Sequence, residues 1–156
     1  MTKVLFICHG NICRSPMAEF IFKDLVARQG LADQFEIASA ATSREEIGNP
    51  VYPPARRKLA EHGISCAAKR ARQVTAADYA KYDYLLVMDR QNLRNLRRII
   101  SADPEKKIRL LREFSGQSGE IADPWYTDDF DTAYRQIEEG CRGLLEHILR
   151  FGSDGN

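Results

Sequence analysis

The chain has 156 residues, 44% of them hydrophobic and 29% charged, and a formal net charge of +1. It is long enough to bury a core without disulfides or metals, and its balanced charge exerts no global pull toward nucleic acid or an anionic membrane. No stretch is long enough to span a bilayer, the N-terminal apolar run is too short for a signal peptide, and four cysteines in such a chain point to reduced thiols in the cytoplasm.

The whole chain, 1–156, is expected to form a single domain. Val4-Leu5-Phe6-Ile7 predicts a strand buried on both faces and ending at Cys8. Gly10 and Asn11 tolerate positive φ, so the chain can wrap into a tight concave loop. Ser15-Pro16 then reads as a helix start, with Ser15 as the cap and Pro16 at the first helical position. Met17, Ile21 and Leu25 continue that helix to a stop near Gly30.

Phe35 to Ser39 reads as a second strand, and 40–54 as a loop. Ala55 and Leu59 mark a short helix closed by His62-Gly63. Thr75-Ala76-Ala77-Asp78 has the form of a capping box before a helical turn, and Tyr84 to Met88 is a third strand. Asp89 caps the next helix, whose inner face carries Leu93, Leu96 and Ile100 while Arg94, Arg97 and Arg98 face solvent. Asp103-Pro104 interrupts the pattern, and Ile108 to Leu111 is a fourth strand followed by a long polar loop. The last helix carries Phe130, Ala133, Ile137, Cys141, Leu144 and Ile148 on one stripe, which makes Cys141 a core thiol. Uniformly apolar strands alternating with helices predict an α/β fold, a parallel sheet covered on both faces. Ligands bind such sheets at the carboxyl ends of strands, where Cys8, Ser39 and Asp89 fall.

The loop His9, Gly10, Asn11, Ile12, Cys13, Arg14 is the expected phosphate-binding element. Inward N–H groups and the positive end of the following helix favour a dianion, and Arg14 adds a bidentate fork. The side chain of His9 has no assigned role. Cys8 lies inside this field, so its thiolate should be favoured, in the roughly 3.5–7.5 pKa range of activated cysteines, and needs no separate base to attack phosphorus. Cys66 and Arg72 repeat the spacing without a turning Gly or Asn, a preceding strand or a following Ser-Pro, so spacing alone carries little.

Ser15 is placed to donate a hydrogen bond to the Cys8 sulfur, and Asn11 to hold the loop's shape. Asp123 is the candidate acid for an aryl leaving group, on a loop where Trp125 and Tyr126 could flank the substrate. By spacing alone, Asp123-Pro124 reads equally well as a plain turn. Glu120, Asp128, Asp129 and Asp131 read as solvated or capping groups. Cys13 either fills an apolar space beneath the loop or captures a sulfenic acid on Cys8 as a disulfide. No His/Cys cluster has metal spacing, and neither metal nor cofactor is expected.

The segment Cys8-His9-Gly10-Asn11-Ile12-Cys13-Arg14-Ser15 resembles the signature of the low-molecular-weight protein tyrosine phosphatases. The likeness extends, in the family's order, to Ser39-Ala40-Ala41-Thr42-Ser43, Glu46-Ile47-Gly48-Asn49-Pro50, Met88-Asp89 and Asp123-Pro124-Trp125-Tyr126. It implies a three-layer sandwich with a four-stranded parallel sheet in the order 2-1-3-4, the flavodoxin-like phosphotyrosine phosphatase I fold. It further implies hydrolysis of phosphotyrosine in protein substrates, and of small aryl phosphates, through a phosphocysteine on Cys8. Phosphate- and vanadate-like oxyanions would inhibit, and the chain would be a monomer or weak homodimer.

The same resemblance makes Asp123 both general acid and general base and gives Asn11 the partner Ser39, with Asp89 as further support for the loop. It puts Ile12, Glu46, Asn49, Trp125 and Tyr126 in the substrate pocket and supports the Cys8–Cys13 disulfide as reversible protection. Ile12, where related arginine phosphatases carry Thr, favours phosphotyrosine over phosphoarginine. Glu45 departs from the pattern, standing where relatives often place Trp or Tyr on the rim, and leaves the peptide preference open. A thioredoxin-coupled arsenate reductase would need two further neighbouring cysteines, and Cys66 and Cys141 are far apart. A non-catalytic phosphate-binding module would make Asp123 dispensable.

Overall fold

Thr2–Cys8 form β1, the strand on which the sheet is built, with Val4 to Cys8 buried. The structure is a computed structural model that describes residues 1–117 and 119–152; Ser118 and the last four residues of the expected 1–156 domain lie outside the described residues. β2 (Phe35–Ala41) pairs with one edge of β1 and β3 (Tyr84–Val87) with the other, both parallel, and β4 (Ile108–Leu110) adds to β3. The sheet order is β2-β1-β3-β4, as the resemblance implied.

Side chains alternate between the faces of a strand, so a strand covered on both sides is apolar throughout. In β1, Val4, Phe6 and Cys8 join the core formed with Met17, Phe22, Ile137 and Leu144, while Leu5 and Ile7 join the one formed with Leu85, Val87, Leu96 and Leu110. The first face is covered by α1 (Arg14–Arg28), α2 (Pro53–Glu61) and the long C-terminal helix, Phe130–Phe151. The expected stripe of that last helix is buried throughout, and Cys141 is fully enclosed. Gly143 lets it close on the 3-10 turn Leu111–Ser115: a Cβ there would lie 1.8 Å from the Phe114 carbonyl oxygen.

Local expectations are corrected at several points, among them the third strand, which stops at Val87 rather than Met88, and Ile100, which lies beyond the helix that Asp89 caps. The first helix starts at Arg14 with Cys13 at the cap position and no side-chain cap, so Ser15 is not the cap and Pro16 is the third helical residue. β2 continues past Ser39 to Ala41 because that segment still pairs with β1 up to Cys8. β4 ends at Leu110, and Leu111 opens the 3-10 turn. The box at Thr75 is one-sided: Asp78 accepts the Thr75 N–H at 2.8 Å, but Ala76 occupies the cap of α3 (Ala77–Lys81). Asp89 does cap α4 (Arg90–Leu96), in a reciprocal box with Asn92.

Candidate active site

Cys8 ends β1 at the carboxyl edge of the sheet and is 4% exposed. Its Sγ receives the Asn11 N–H at 3.3 Å and lies 3.0 Å from Ser15 Oγ. Asn11 adopts φ 60°, a conformation that Asn tolerates better than most residues, and this turns the loop inward. Its side chain is fully used: Nδ2 donates to Ser15 Oγ (2.8 Å) and Ser39 Oγ (2.9 Å), and Oδ1 accepts the Arg72 N–H (3.2 Å). Because Ser15 Oγ already accepts from Asn11, its own proton is free to point at the sulfur.

Gly10 does not adopt positive φ, and a Cβ there would come within 3.3 Å of Glu46 Cγ, a tight contact that a small shift of the Glu46 side chain would relieve. Behind the loop, Ser39 Oγ donates to the buried Glu19 carboxylate at 2.6 Å, and Lys23 Nζ holds the other Glu19 oxygen at 2.6 Å. Lys69 Nζ lies 3.6 Å from Glu19 and donates to the Ser39 carbonyl at 2.9 Å; burial pulls its ammonium below the usual lysine range against the pull of Glu19. The sequence reading missed Glu19, Lys69 and Arg72. The available signal was the spacing from Ser15 to Glu19, four residues on one helix face; nothing local marked the other two.

Arg14 is 3% exposed and held on three sides. Nη1 donates to the Ile121 carbonyl and to Asp89 Oδ2, each at 2.8 Å, and Nη2 lies 3.3 Å from Asp123 Oδ2. Burial opposes its charge, but Cys8, Asp123 and Asp89 outweigh that and raise its pKa further. Asp123 caps the short helix α5 (Pro124–Thr127), Oδ1 accepting the Trp125 N–H at 3.0 Å, so one carboxylate oxygen holds the turn and the other faces Arg14. The turn reading and the functional one are therefore compatible.

Cys8, Arg14 and Asp123 line one cavity with Ile12 and Cys13, and the more exposed Glu45, Glu46, Trp125 and Tyr126 also line it. Trp125 is half exposed and packs on Tyr52 at 4.9 Å between ring centroids. Asn49 is placed one step outside the cavity lining; it donates Nδ2 to Glu46 Oε1 at 2.8 Å. His9 Nε2 meets Glu45 Oε2 at 3.0 Å at the exposed rim. Cys13 is buried in a small apolar cluster with Ile12 and Ala71, and burial, then the neighbouring Cys8, push its thiol up. All four cysteines are free. Among the described residues no three His, Cys, Asp or Glu side chains converge as a metal site, and no helix is long and apolar enough to cross a membrane. The cavity can thus hold a tetrahedral dianion between a sulfur nucleophile and a carboxyl group, with an aromatic wall above.

The sequence model of the low molecular weight phosphotyrosine protein phosphatases matches residues 3–152. The chain is 43% identical over 148 residues to the low molecular weight phosphotyrosine protein phosphatase of Homo sapiens, covering 92% of this chain and 93% of the relative. It is 39% identical over 152 residues to the low molecular weight protein-tyrosine-phosphatase YfkJ of Bacillus subtilis, covering 96% and 97%. The crystal structure of YfkJ superposes with a TM-score of 0.92 over 96% of each chain. That of a Drosophila arginine phosphatase superposes with a TM-score of 0.85 at 34% identity, over 94% of this chain and 98% of the other.

Proposed function

The chain belongs to the low molecular weight phosphotyrosine protein phosphatase family, a phosphoric monoester hydrolase, and from that premise we propose that it works through a phosphocysteine on Cys8. The observation that carries the reading is the Cys8 sulfur, met by Ser15 and the Asn11 N–H at the floor of the cavity that also holds Arg14 and Asp123. The phosphoryl dianion of a phosphotyrosine settles in the loop from His9 to Arg14, and Arg14 turns from Asp123 to two phosphoryl oxygens. The sulfur attacks phosphorus, the P–O bond breaks, and the freed, protonated Asp123 gives its proton to the tyrosine oxygen. Asp123, now a carboxylate, takes a proton from water as the water attacks phosphorus. The P–S bond breaks, inorganic phosphate leaves, and the sulfur departs as a thiolate stabilised by Ser15 and Asn11.

Hydrolysis of p-nitrophenyl phosphate tests this. Cys8→Ser should abolish turnover, and Asp123→Ala should lower kcat by about 10²–10⁴-fold, the usual contribution of a general acid. Phosphorus NMR of rapidly quenched enzyme should detect a phosphocysteine; turnover surviving in Cys8→Ser would overturn the reading. Phosphate and vanadate, which occupy the same loop, should compete with substrate.

Oxidation adds a second layer to the same site. A peroxide converts the Cys8 thiolate to a sulfenic acid, and Cys13 displaces water to form the disulfide, which an external thiol reduces. A linked Cys8–Cys13 peptide in peroxide-treated enzyme, with thiol recovery of activity, is the expected result. Free cysteines suit a reducing compartment, so the cytoplasm is the proposed location, and a monomer or weak homodimer the proposed state. One structural relative is named an arginine phosphatase, so phosphoarginine is the competing substrate. Ile12 in the cavity favours the aryl ester, and Ile12→Thr should shift the ratio of the two activities toward phosphoarginine.

A further inference from the structure

We propose that Glu45 and Glu46 make this enzyme select phosphotyrosines flanked by lysine or arginine; the inference rests on the phosphotyrosine reading above and specifies which peptides that site takes. The cation that meets the phosphoryl group, Arg14, is 3% exposed and covered by Asp89 and Asp123, so its charge is spent at the floor. The mouth has the opposite sign. Glu46 lays its stem against Gly10, and Asn49 Nδ2 holds Oε1 at 2.8 Å while Oε2 accepts no hydrogen bond among the described residues. The loop carrying it is pinned to the segment behind by Gly48 N–H to the Ala71 carbonyl at 2.9 Å, which fixes the backbone from which this carboxylate projects. Glu45, its side chain 68% exposed, shares one oxygen with His9 and presents the other to solvent. Arg44, the exposed neighbour of Glu45, does not line the cavity, whose rim carboxylates are those of Glu45 and Glu46.

Depth converts this charge pattern into selectivity. The phosphoryl group is fixed at Cys8 and the tyrosine ring fills the space between Ile12 and the aromatic wall, so the residues beside the phosphotyrosine meet the rim. On the Glu45/Glu46 side they meet two carboxylates, which attract a cationic neighbour and repel an acidic one. The long apolar stem of a lysine or arginine can lie along the wall while its charge reaches the carboxylates.

The test uses three otherwise identical phosphotyrosine peptides with Lys, Ala or Glu on both sides of the phosphotyrosine. An exposed ion pair changes affinity by about two- to fivefold, so kcat/KM for the Lys peptide should exceed that for the Glu peptide by about tenfold at low salt. The gap should close at high salt, where exposed charges are screened. The double variant Glu45→Lys/Glu46→Lys should invert the order, and Glu45→Gln alone should narrow it by about half. The ratio between peptides is the readout, so a change in overall rate does not disturb it, and the wild-type salt series stands even if the double variant does not fold. Equal kcat/KM for the three peptides, or a preference unmoved by salt or by Glu45→Gln, overturns the proposal and leaves the phosphatase reading intact. Failure to hydrolyse any of the three strikes the phosphotyrosine reading, and this one with it.

Discussion

The floor and the rim of the cavity lie within one loop's reach of each other and are built on different physics. On the floor, Asn11, Arg14, Ser15, Ser39 and Glu19 are each at most 5% exposed; Ser15, Asn11, Ser39 and Glu19 are joined by side-chain hydrogen bonds of 2.6–2.9 Å, and Arg14 is held separately by Ile121, Asp89 and Asp123. A buried polar group left without a partner costs about 1–3 kcal/mol, so each member of such a network depends on the others. On the rim, His9–Glu45 and Asn49–Glu46 are solvated contacts that water can replace. The lesson is a division of labour: the buried network fixes the shape of the loop around Cys8, and the exposed groups leave the rim adjustable.

Substitutions should separate the two regions. The largest effect is expected for Arg14→Lys, which cannot reproduce the fork that reaches Ile121, Asp89 and Asp123 and should lower kcat/KM by about 10²-fold or more. Asn11→Ala removes two buried hydrogen bonds and one part-buried one and leaves a φ of 60° to a residue that disfavours it, so chemical denaturation should show a loss of about 2–4 kcal/mol. Alkylation sharpens the contrast within the floor. Iodoacetamide at neutral pH should label Cys8, which receives hydrogen bonds, well before Cys13, whose burial raises its thiol pKa and keeps the thiolate fraction small until the pH is strongly alkaline. The smallest effect belongs to His9→Ala, which should change stability by less than about 0.5 kcal/mol. A stability loss there as large as that of Asn11→Ala would erase the distinction between the regions.

Much of this was readable without coordinates because it is local or periodic. The buried run in β1, the Gly10-Asn11 turn, the Asp89 cap and the stripe of α6 (Phe130–Phe151) each follow from neighbours a few residues apart. Ser15 shows where local rules mislead: its type and its Pro16 neighbour fit a helix cap, but the helix begins two residues before the expected start and the hydroxyl turns to Cys8 and Asn11. Glu19 and Lys69 show the other limit. A glutamate on an amphipathic helix reads as solvated, and only the close approach of Ser39, Lys23 and Lys69 makes its burial tolerable.

By itself, then, the sequence determined the alternating helices and strands and the loop that ends β1, and it singled out Cys8, Arg14 and Asp123, which the fold brings to one cavity. Its motif resemblance pointed further, to the family. Only the tertiary structure decided that Arg14 spans Ile121, Asp89 and Asp123, that Asn49 stands behind Glu46, and that a carboxylate lies buried beneath the loop. Short-range geometry and hydrophobic period are carried by adjacent residues, whereas a buried polar contact exists only once distant segments have excluded water from around it.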